Sequence, residues 1–273
     1  MSLRRAERVS TILERVNEHG SVDAGELAEE FAVSPATIRR DLQMLEDQRL
    51  VSRTHGGAVV RESPLEVPVR YRAGQHPGEK AIIARVVASM LPKGPLTLGL
   101  TGGTTTHLLA RLLADRVDLT VVTNALNIAT DLVTRPRIKL ISTGGVSRSQ
   151  SYEMVGPIAD NALQGLNMEV AVVGVDGISA RGGLTTHDEI EANTNATMIR
   201  RADKVIVVAD GSKVGKVCLA GIGKVSDVTV LVTDVSADTR EVEAIRDAGI
   251  EVLVATGDGV EVIGASENGA LRR

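Results

Sequence analysis

Val33-Ser34-Pro35-Ala36-Thr37-Ile38-Arg39-Arg40-Asp41-Leu42-Gln43-Met44-Leu45 reads as the start and body of an amphipathic helix. Ser34 can accept from the free N–H groups of a first helical turn, and Pro35 gives up an N–H that would have no partner there anyway. At about 100° per residue, Ile38, Leu42 and Leu45 share one face, which predicts core, while Ala36, Arg40 and Gln43 project the opposite way. Thr37, Arg39 and Met44 fall on the flanks. Upstream, Val9, Ile12, Leu13 and Val16 recur at i, i+3, i+4, i+7 and predict a helix over 4–18, ended by His19-Gly20. A second helix, capped by Asp23, would bury Leu27, Ala28 and Phe31. Downstream, residues 50–60 give two short β runs around Gly56-Gly57, a hairpin or wing.

A short helix, a tight turn and a second helix that carries small and guanidinium side chains outward is a geometry that enters a DNA major groove. Arg binds guanine bidentately and Gln does the same for adenine. Arg40 and Gln43 are therefore expected to read bases, with Arg39, Arg53 and His55 on phosphates or the adjacent groove. Ser34, Ala36 and Thr37, at the start of the helix, complete the candidate DNA face. The plainer alternative is a small helical interaction domain with solvated arginines. Agreement between the cap, the outward arginine pair and the basic hairpin favours DNA.

Residues 1–61 hold nine arginines, no lysine and ten acids, and the remainder holds 22 basic against 25 acidic residues, so neither part is broadly basic. The arginines nevertheless bunch at Arg4-Arg5-Arg8, at Arg39-Arg40 and between Arg49 and Arg53, and distribution matters more than net charge for a nucleic-acid footprint. Three aromatics in 273 residues, Phe31, Tyr71 and Tyr152, argue against the stacking platforms of single-strand and RNA binders. One cysteine, Cys218, excludes an intrachain disulfide and a Cys-rich zinc site, and is expected to be a small buried hydrophobe. No metal, cofactor or catalytic group is expected. No apolar run reaches the roughly 18 residues of a membrane span, and Met1-Ser2-Leu3-Arg4-Arg5 leads into a charged amphipathic stretch, which predicts a cytoplasmic protein with no membrane partner.

The length favours two domains. Residues 1–60 form the first; residues 61–78, with Pro64, Pro68, Pro77, Gly74 and Gly78 among charges, read as a linker. Over 79–256, apolar strands at 96–100, 119–124, 138–143, 170–175, 204–210, 228–234 and 251–256 alternate with helical segments. That pattern predicts an α/β domain with a mainly parallel sheet and ligand chemistry at the carboxyl ends of its strands. Residues 257–273 read as a flexible tail.

The strand ends share a theme. Thr101-Gly102-Gly103-Thr104-Thr105-Thr106-His107 leads into a helix and suits an anion, a phosphate above all, because glycines let backbone approach and the helix start offers N–H groups. It is neither a Walker loop nor G-x-G-x-x-G. Thr123-Asn124, Gly144-Gly145 with Arg148, Asp176-Gly177, and Asp210 with Ser212-Lys213 end other strands.

These residues carry a resemblance. Residues 7–59, and above all 33–42 with Arg53-Thr54-His55-Gly56-Gly57-Ala58, look like the winged helix-turn-helix of DeoR/GlpR-type bacterial transcription regulators. Gln48-Arg49 departs from the Gly usual in that family at the end of the recognition helix. The C-terminal part resembles the sensor domain of the same regulators, similar in fold to ribose-5-phosphate isomerase and glucosamine-6-phosphate deaminase, through 99–106, Thr123-Asn124, Gly144-Gly145, 155–157, 173–177, 183–186 with Glu189 and Glu191, and 209–213. The resemblance implies a repressor of a sugar-metabolism operon that binds double-stranded operator DNA and responds to a phosphorylated sugar. Gly102, Gly103, Thr104 and Thr105 would hold the phosphate, Lys213 would supply a positive charge, and Asn124, Asp176 and Glu189 would face the sugar hydroxyls.

A sugar-phosphate isomerase or deaminase is the alternative, since Asp176, Glu189 and Lys213 are groups that can move protons. The helix-turn-helix discriminates: an isomerase does not need one. One recognition helix covers too few base pairs to select a genomic site, so a homo-oligomer, dimer or tetramer, is expected.

Overall fold

The computed structural model describes residues 3–60, 66–257 and 259–263. The chain divides into two compact units, Met1–Pro77 and Gly78–Arg273.

The first unit begins with α1 (Leu3–His19), β1 (Ser21–Asp23) and α2 (Ala24–Glu30). It continues through α3 (Pro35–Asp47), β2 (Ser52–Arg53), β3 (Gly57–Val59) and α4 (Val69–Arg72). Asp23 caps α2 by accepting from Gly25 N and Glu26 N, and Ser34 Oγ caps α3 by accepting from Thr37 N at 3.2 Å. Val9, Ile12, Leu13 and Val16 of α1 are buried against Leu27, Ile38, Leu42 and Leu45, so the apolar faces read from spacing meet in one core. The hairpin gains a third strand: β1 pairs antiparallel with β3, Val22 opposite Ala58. A Cβ at Gly57 would lie 1.8 Å from Val22 O, so this crossing requires glycine. Arg49, in the Gln48-Arg49 pair where the resemblance leads to an expectation of Gly, takes a left-handed φ of 59°. Leu50 N then returns to Leu45 O at 2.9 Å, and the chain turns into the wing without the glycine.

Of the segment read as a linker, residues 61–65 lie outside the described residues. Residues 66–77 belong to the first unit. Tyr71 is buried in its core, donating from Oη to Gln48 Oε1 at 2.6 Å, while its carbonyl accepts from Ser10 Oγ at 2.9 Å. Four helical residues are too few to show a period amid prolines and glycines, which is why sequence pattern passed over α4.

The second unit runs α5 (Pro77–Met90), β4 (Leu96–Leu100), α6 (Thr104–Leu112), β5 (Leu119–Thr123), α7 (Leu126–Leu132) and β6 (Ile138–Ser142). A small hairpin follows, β7 (Val146–Ser147) and β8 (Met154–Val155), then α8 (Pro157–Gln164) and β9 (Met168–Gly174). After it come β10 (Gly177–Ser179), β11 (Gly183–Thr186), α9 (Glu189–Arg200), β12 (Ala202–Val208) and β13 (Ala220–Gly223). The unit ends with β14 (Val230–Asp234), α10 (Thr239–Asp247), β15 (Glu251–Thr256) and β16 (Gly259–Ile263).

Eight strands form one sheet in the order β16-β15-β14-β12-β9-β4-β5-β6, parallel except for the antiparallel edge strand β16. Within the segment read as a tail from residue 257, β16 pairs antiparallel with β15, Val262 opposite Leu253. Residues 258 and 264–273 lie outside the described residues. Valines alternate between faces, Val121 and Val172 packing to one side and Val122 and Val173 to the other, and both sides are buried. β10, β11 and β13 form a separate antiparallel sheet. The chain goes from β4 outward to β5 and β6, then crosses to β9 on the other side of β4. That reversal of direction lies between β4 and β9, where ligands of open α/β sheets bind.

Candidate functional site

On the first unit, Ser34, Ala36, Arg39, Arg40, Gln43, Arg53 and His55 are exposed and Thr37 is partly so. Arg39 and Arg40 have no hydrogen-bond partner among the described residues. Ser34 and Thr37 engage each other, Oγ to Oγ1 at 2.9 Å, as part of the cap. Gln43 is held within the protein, donating to Asp47 Oδ1 at 2.9 Å and accepting from Arg53 Nη1, so α3 and the wing are joined through two of the expected DNA residues. The N-terminal arginines act differently from the sequence expectation of a common basic footprint. Arg5 Nε and Arg8 Nε donate to the two oxygens of Asp41, each at 2.8 Å, and the Asp41 side chain is 2% exposed. These arginines fix α1 to the inner side of α3.

On the second unit, Thr101 to Thr106 join β4 to α6 at the switch point. Gly103 has φ of 134° and accepts, through its carbonyl, from Thr106 Oγ1 at 3.1 Å. Thr104 is the first residue of α6, partly exposed, and its hydroxyl has no partner among the described residues; Thr105 is buried. Thr101 Oγ1 accepts from Gly174 N at 3.0 Å, tying the β4 loop to the end of β9, and a Cβ at Gly174 would lie 2.7 Å from Gly102 O. First-turn amides of α6 have no carbonyl partner within the helix and form a ready anion seat.

Beside this loop the other strand ends converge in a polar network. Asn124, fully buried after β5, donates from Nδ2 to Glu153 Oε2 at 3.2 Å and to Asn195 Oδ1 at 3.1 Å. Asn195 Nδ2 donates to the same Glu153 oxygen at 3.2 Å. Thr186 Oγ1 lies 2.9 Å from Asp176 Oδ2 and 2.7 Å from Glu191 Oε1. One hydroxyl proton serves only one of those carboxylates at a time. Lys213 Nζ donates to Val175 O at 2.7 Å and lies 3.5 Å from Asp176. Arg148 pairs with Glu191 at 2.7 Å and Asp188 at 3.0 Å.

Of the residues selected by sequence, Gly102, Gly103, Thr104 and Thr105 share the β4 loop, Asn124 lies in the buried network, and Asp176 and Lys213 pair at its acidic side. Glu189 is exposed on the first turn of α9 and stands outside the network; Glu191, two residues on and buried, joins it through Thr186 and Arg148. Sequence reasoning passed over Glu153 and Asn195, and gave Glu191 no role although it stands in the stretch that carries the resemblance. Burial pushes the Glu153 carboxyl well above the usual carboxylate range, reinforced by the charge of Glu191. Cys218 is half-buried rather than buried, its Sγ 3.9 Å from His187 Nε2, and burial raises its thiol pKa. Among the described residues no group of three or more His, Cys, Asp or Glu side chains is placed to hold a metal ion.

An exposed arginine-bearing helix with a wing on one unit and a polar cluster at the strand ends of the other are the parts of a DNA-binding regulator that carries its own sensor. Residues 8–64 match the family model described as the DeoR-like helix-turn-helix domain, and residues 75–235 match the DeoR C terminal sensor domain. The chain belongs to the DeoR family of transcription regulators. It is 33% identical over 250 residues to the glycerol-3-phosphate regulon repressor of Escherichia coli strain K12, covering 92% of this chain and 99% of that one. It is 36% identical over 230 residues to the transcriptional repressor AccR of Agrobacterium fabrum, covering 84% and 89%. Among solved structures, ribose 5-phosphate isomerase A of Methanocaldococcus jannaschii is similar at 13% identity and a TM-score of 0.40, over 68% of this chain and 98% of that one, a likeness too distant to inform the site. No helix among the described residues is long and apolar enough to cross a membrane.

Proposed function

We propose that this protein is a repressor of a sugar-metabolism operon, that α3 reads the operator, and that a phosphorylated sugar bound at the β4 loop controls it without being turned over. The observation that carries the effector reading is the junction of Gly102, Gly103 and Thr104 with the start of α6 at the β4–β9 switch point. There an open hydroxyl and helix-start amides suit a phosphate, and the acidic side formed by Asp176 and Glu191 suits sugar hydroxyls. The names of the relatives, one of them a glycerol-3-phosphate regulon repressor, support a phosphorylated effector. Two-fold related half-sites would require a dimer or a higher homo-oligomer.

A thermal-shift screen of the full chain against phosphorylated pentoses, hexoses and glycerol phosphate tests this reading. A ligand bound only by the native state raises apparent stability by mass action. Thr104→Val is expected to retain operator binding and lose the response to the effector. Sustained isomerase or deaminase turnover, abolished by Asp176→Asn, would overturn the sensor reading.

At the DNA face, Arg40→Ala is expected to weaken operator binding by about 1–3 kcal/mol and relax sequence preference, because a bidentate base contact is lost. Competition binding at two salt concentrations checks it: unchanged affinity and selectivity would mean that α3 presents another face to DNA.

A further inference from the structure

We propose that Glu153 is a further residue of the effector site, that it holds a proton there, and that an anionic ligand binds the form in which that proton is held. This rests on the effector reading given above. The carboxyl is fully buried against the loop that would carry the phosphate: a Cβ on Gly102 would lie 2.3 Å from Glu153 Oε1 and 2.4 Å from its Cγ. Its neighbours come from four elements. The β4 loop gives the backbone of Gly102, the residue after β5 gives Asn124, α9 gives Asn195 and Glu191, and the turn after β9 gives Asp176. Two are carboxylates and the others are neutral.

The cations of the site are directed elsewhere. Arg148 is taken by Glu191 and Asp188, and Lys213 by Asp176 and the Val175 carbonyl. An ionised Glu153 would thus face two like charges with no cation of its own, while buried, and holding a proton relieves this. Asn124 and Asn195 each donate from Nδ2 to Glu153 Oε2, and these donors with the Gly102 backbone favour the ionised form; burial and the neighbouring carboxylates outweigh them and hold the proton.

A phosphate seated on the Gly102 to Thr104 backbone adds negative charge beside the same carboxyl. It therefore favours the protonated form further, and by linkage the protonated form favours the phosphate. The sign follows: affinity is greatest below the free protein's Glu153 titration and falls as pH rises through it, by up to about tenfold per pH unit for one linked proton. Phosphomonoesters have a second pKa of about 6, so from pH 7 upward the ligand's own charge is nearly constant and the slope reports the protein.

The experiment measures binding of the sugar phosphates above, whose charge is nearly constant in this window, to the full-length protein between pH 7 and 9, for wild type and Glu153→Gln. It is accompanied by a 13C-glutamate NMR titration of wild type with and without ligand. We expect wild-type affinity to fall with pH, Glu153→Gln to show a flat profile, and one glutamate resonance to titrate far above the others and move higher still with ligand. Should the variant fail to fold, the wild-type titration decides alone. A flat wild-type profile, or a buried glutamate titrating with the exposed ones, overturns the proton linkage and leaves the effector site standing. Absence of binding by every phosphate tested overturns the effector reading and this inference together.

Discussion

Asp41→Ala is expected to destabilise the first unit by about 3–4 kcal/mol and to weaken operator binding without touching any DNA contact. Asp41 lies on the inner side of α3, its carboxylate receives Arg5 and Arg8 of α1, and its side chain is 2% exposed. Removing one partner of a buried ion pair costs about 3–5 kcal/mol, since the charge left behind has lost both water and partner. Arg5 is 39% exposed and can turn to solvent, whereas Arg8 is 12% exposed and cannot do so as freely, which places the expected loss toward the lower part of that range. A unit of this size has a total stability on the order of 4–12 kcal/mol, so the unfolded fraction rises steeply. Hydrogen exchange on the full chain checks this: protection should fall across α1 and α3 and stay unchanged in β4 and β9. Arg8→Ala should behave likewise, lowering stability rather than only flattening the salt dependence of DNA binding. Equal protection in Asp41→Ala and wild type would return these arginines to the basic footprint.

The same residues show which parts of the molecule a sequence displays. Ser34, Pro35 and the Ile38, Leu42, Leu45 face were legible because a cap and a helical period are local, and the parallel sheet was legible because its strands are apolar on both faces. Arg5 and Arg8 read as part of a nucleic-acid surface because their partner lies 36 and 33 residues away, and only the packing of α1 on α3 brings it near. Asn124, Asp176 and Lys213 end strands, where chemistry of open sheets gathers. Glu153 lies instead just before β8, in the short hairpin, and Asn195 and Glu191 on α9. That helix buries Glu191, Thr194, Asn195 and Met198 on one face, so its inner stripe is polar and a search for apolar periodicity passes it by. The spacing of 191, 194, 195 and 198 was available as a signal, and a polar stripe at helical spacing is the pattern that reveals such a site.

Gly102→Ala is expected to abolish the effector response and to cost about 1–3 kcal/mol of stability in the second unit. The added methyl would overlap Glu153 at Oε1, Cγ and Cδ, at 2.3, 2.4 and 2.8 Å. The carboxyl is enclosed by Asn124 and Asn195, so relief requires moving the whole side chain out of its hydrogen bonds or moving the β4 loop off the end of β9. Overpacking of this kind typically costs about 1–3 kcal/mol, and either movement displaces the amides on which a phosphate would sit. Gly78→Ala supplies the control, since nothing lies within 4 Å of a Cβ there and an alanine in the first turn of α5 is tolerated. The cause is separable from a general dislike of alanine in the loop by a double-mutant cycle. If the overlap is with Glu153, Gly102→Ala combined with Glu153→Ala should lose less stability than the two single changes together, because the second removes the atoms that the first strikes. Additive losses, or an unimpaired effector response in Gly102→Ala, would mean that the loop accommodates a side chain at 102 and that its contact with Glu153 does not shape the site.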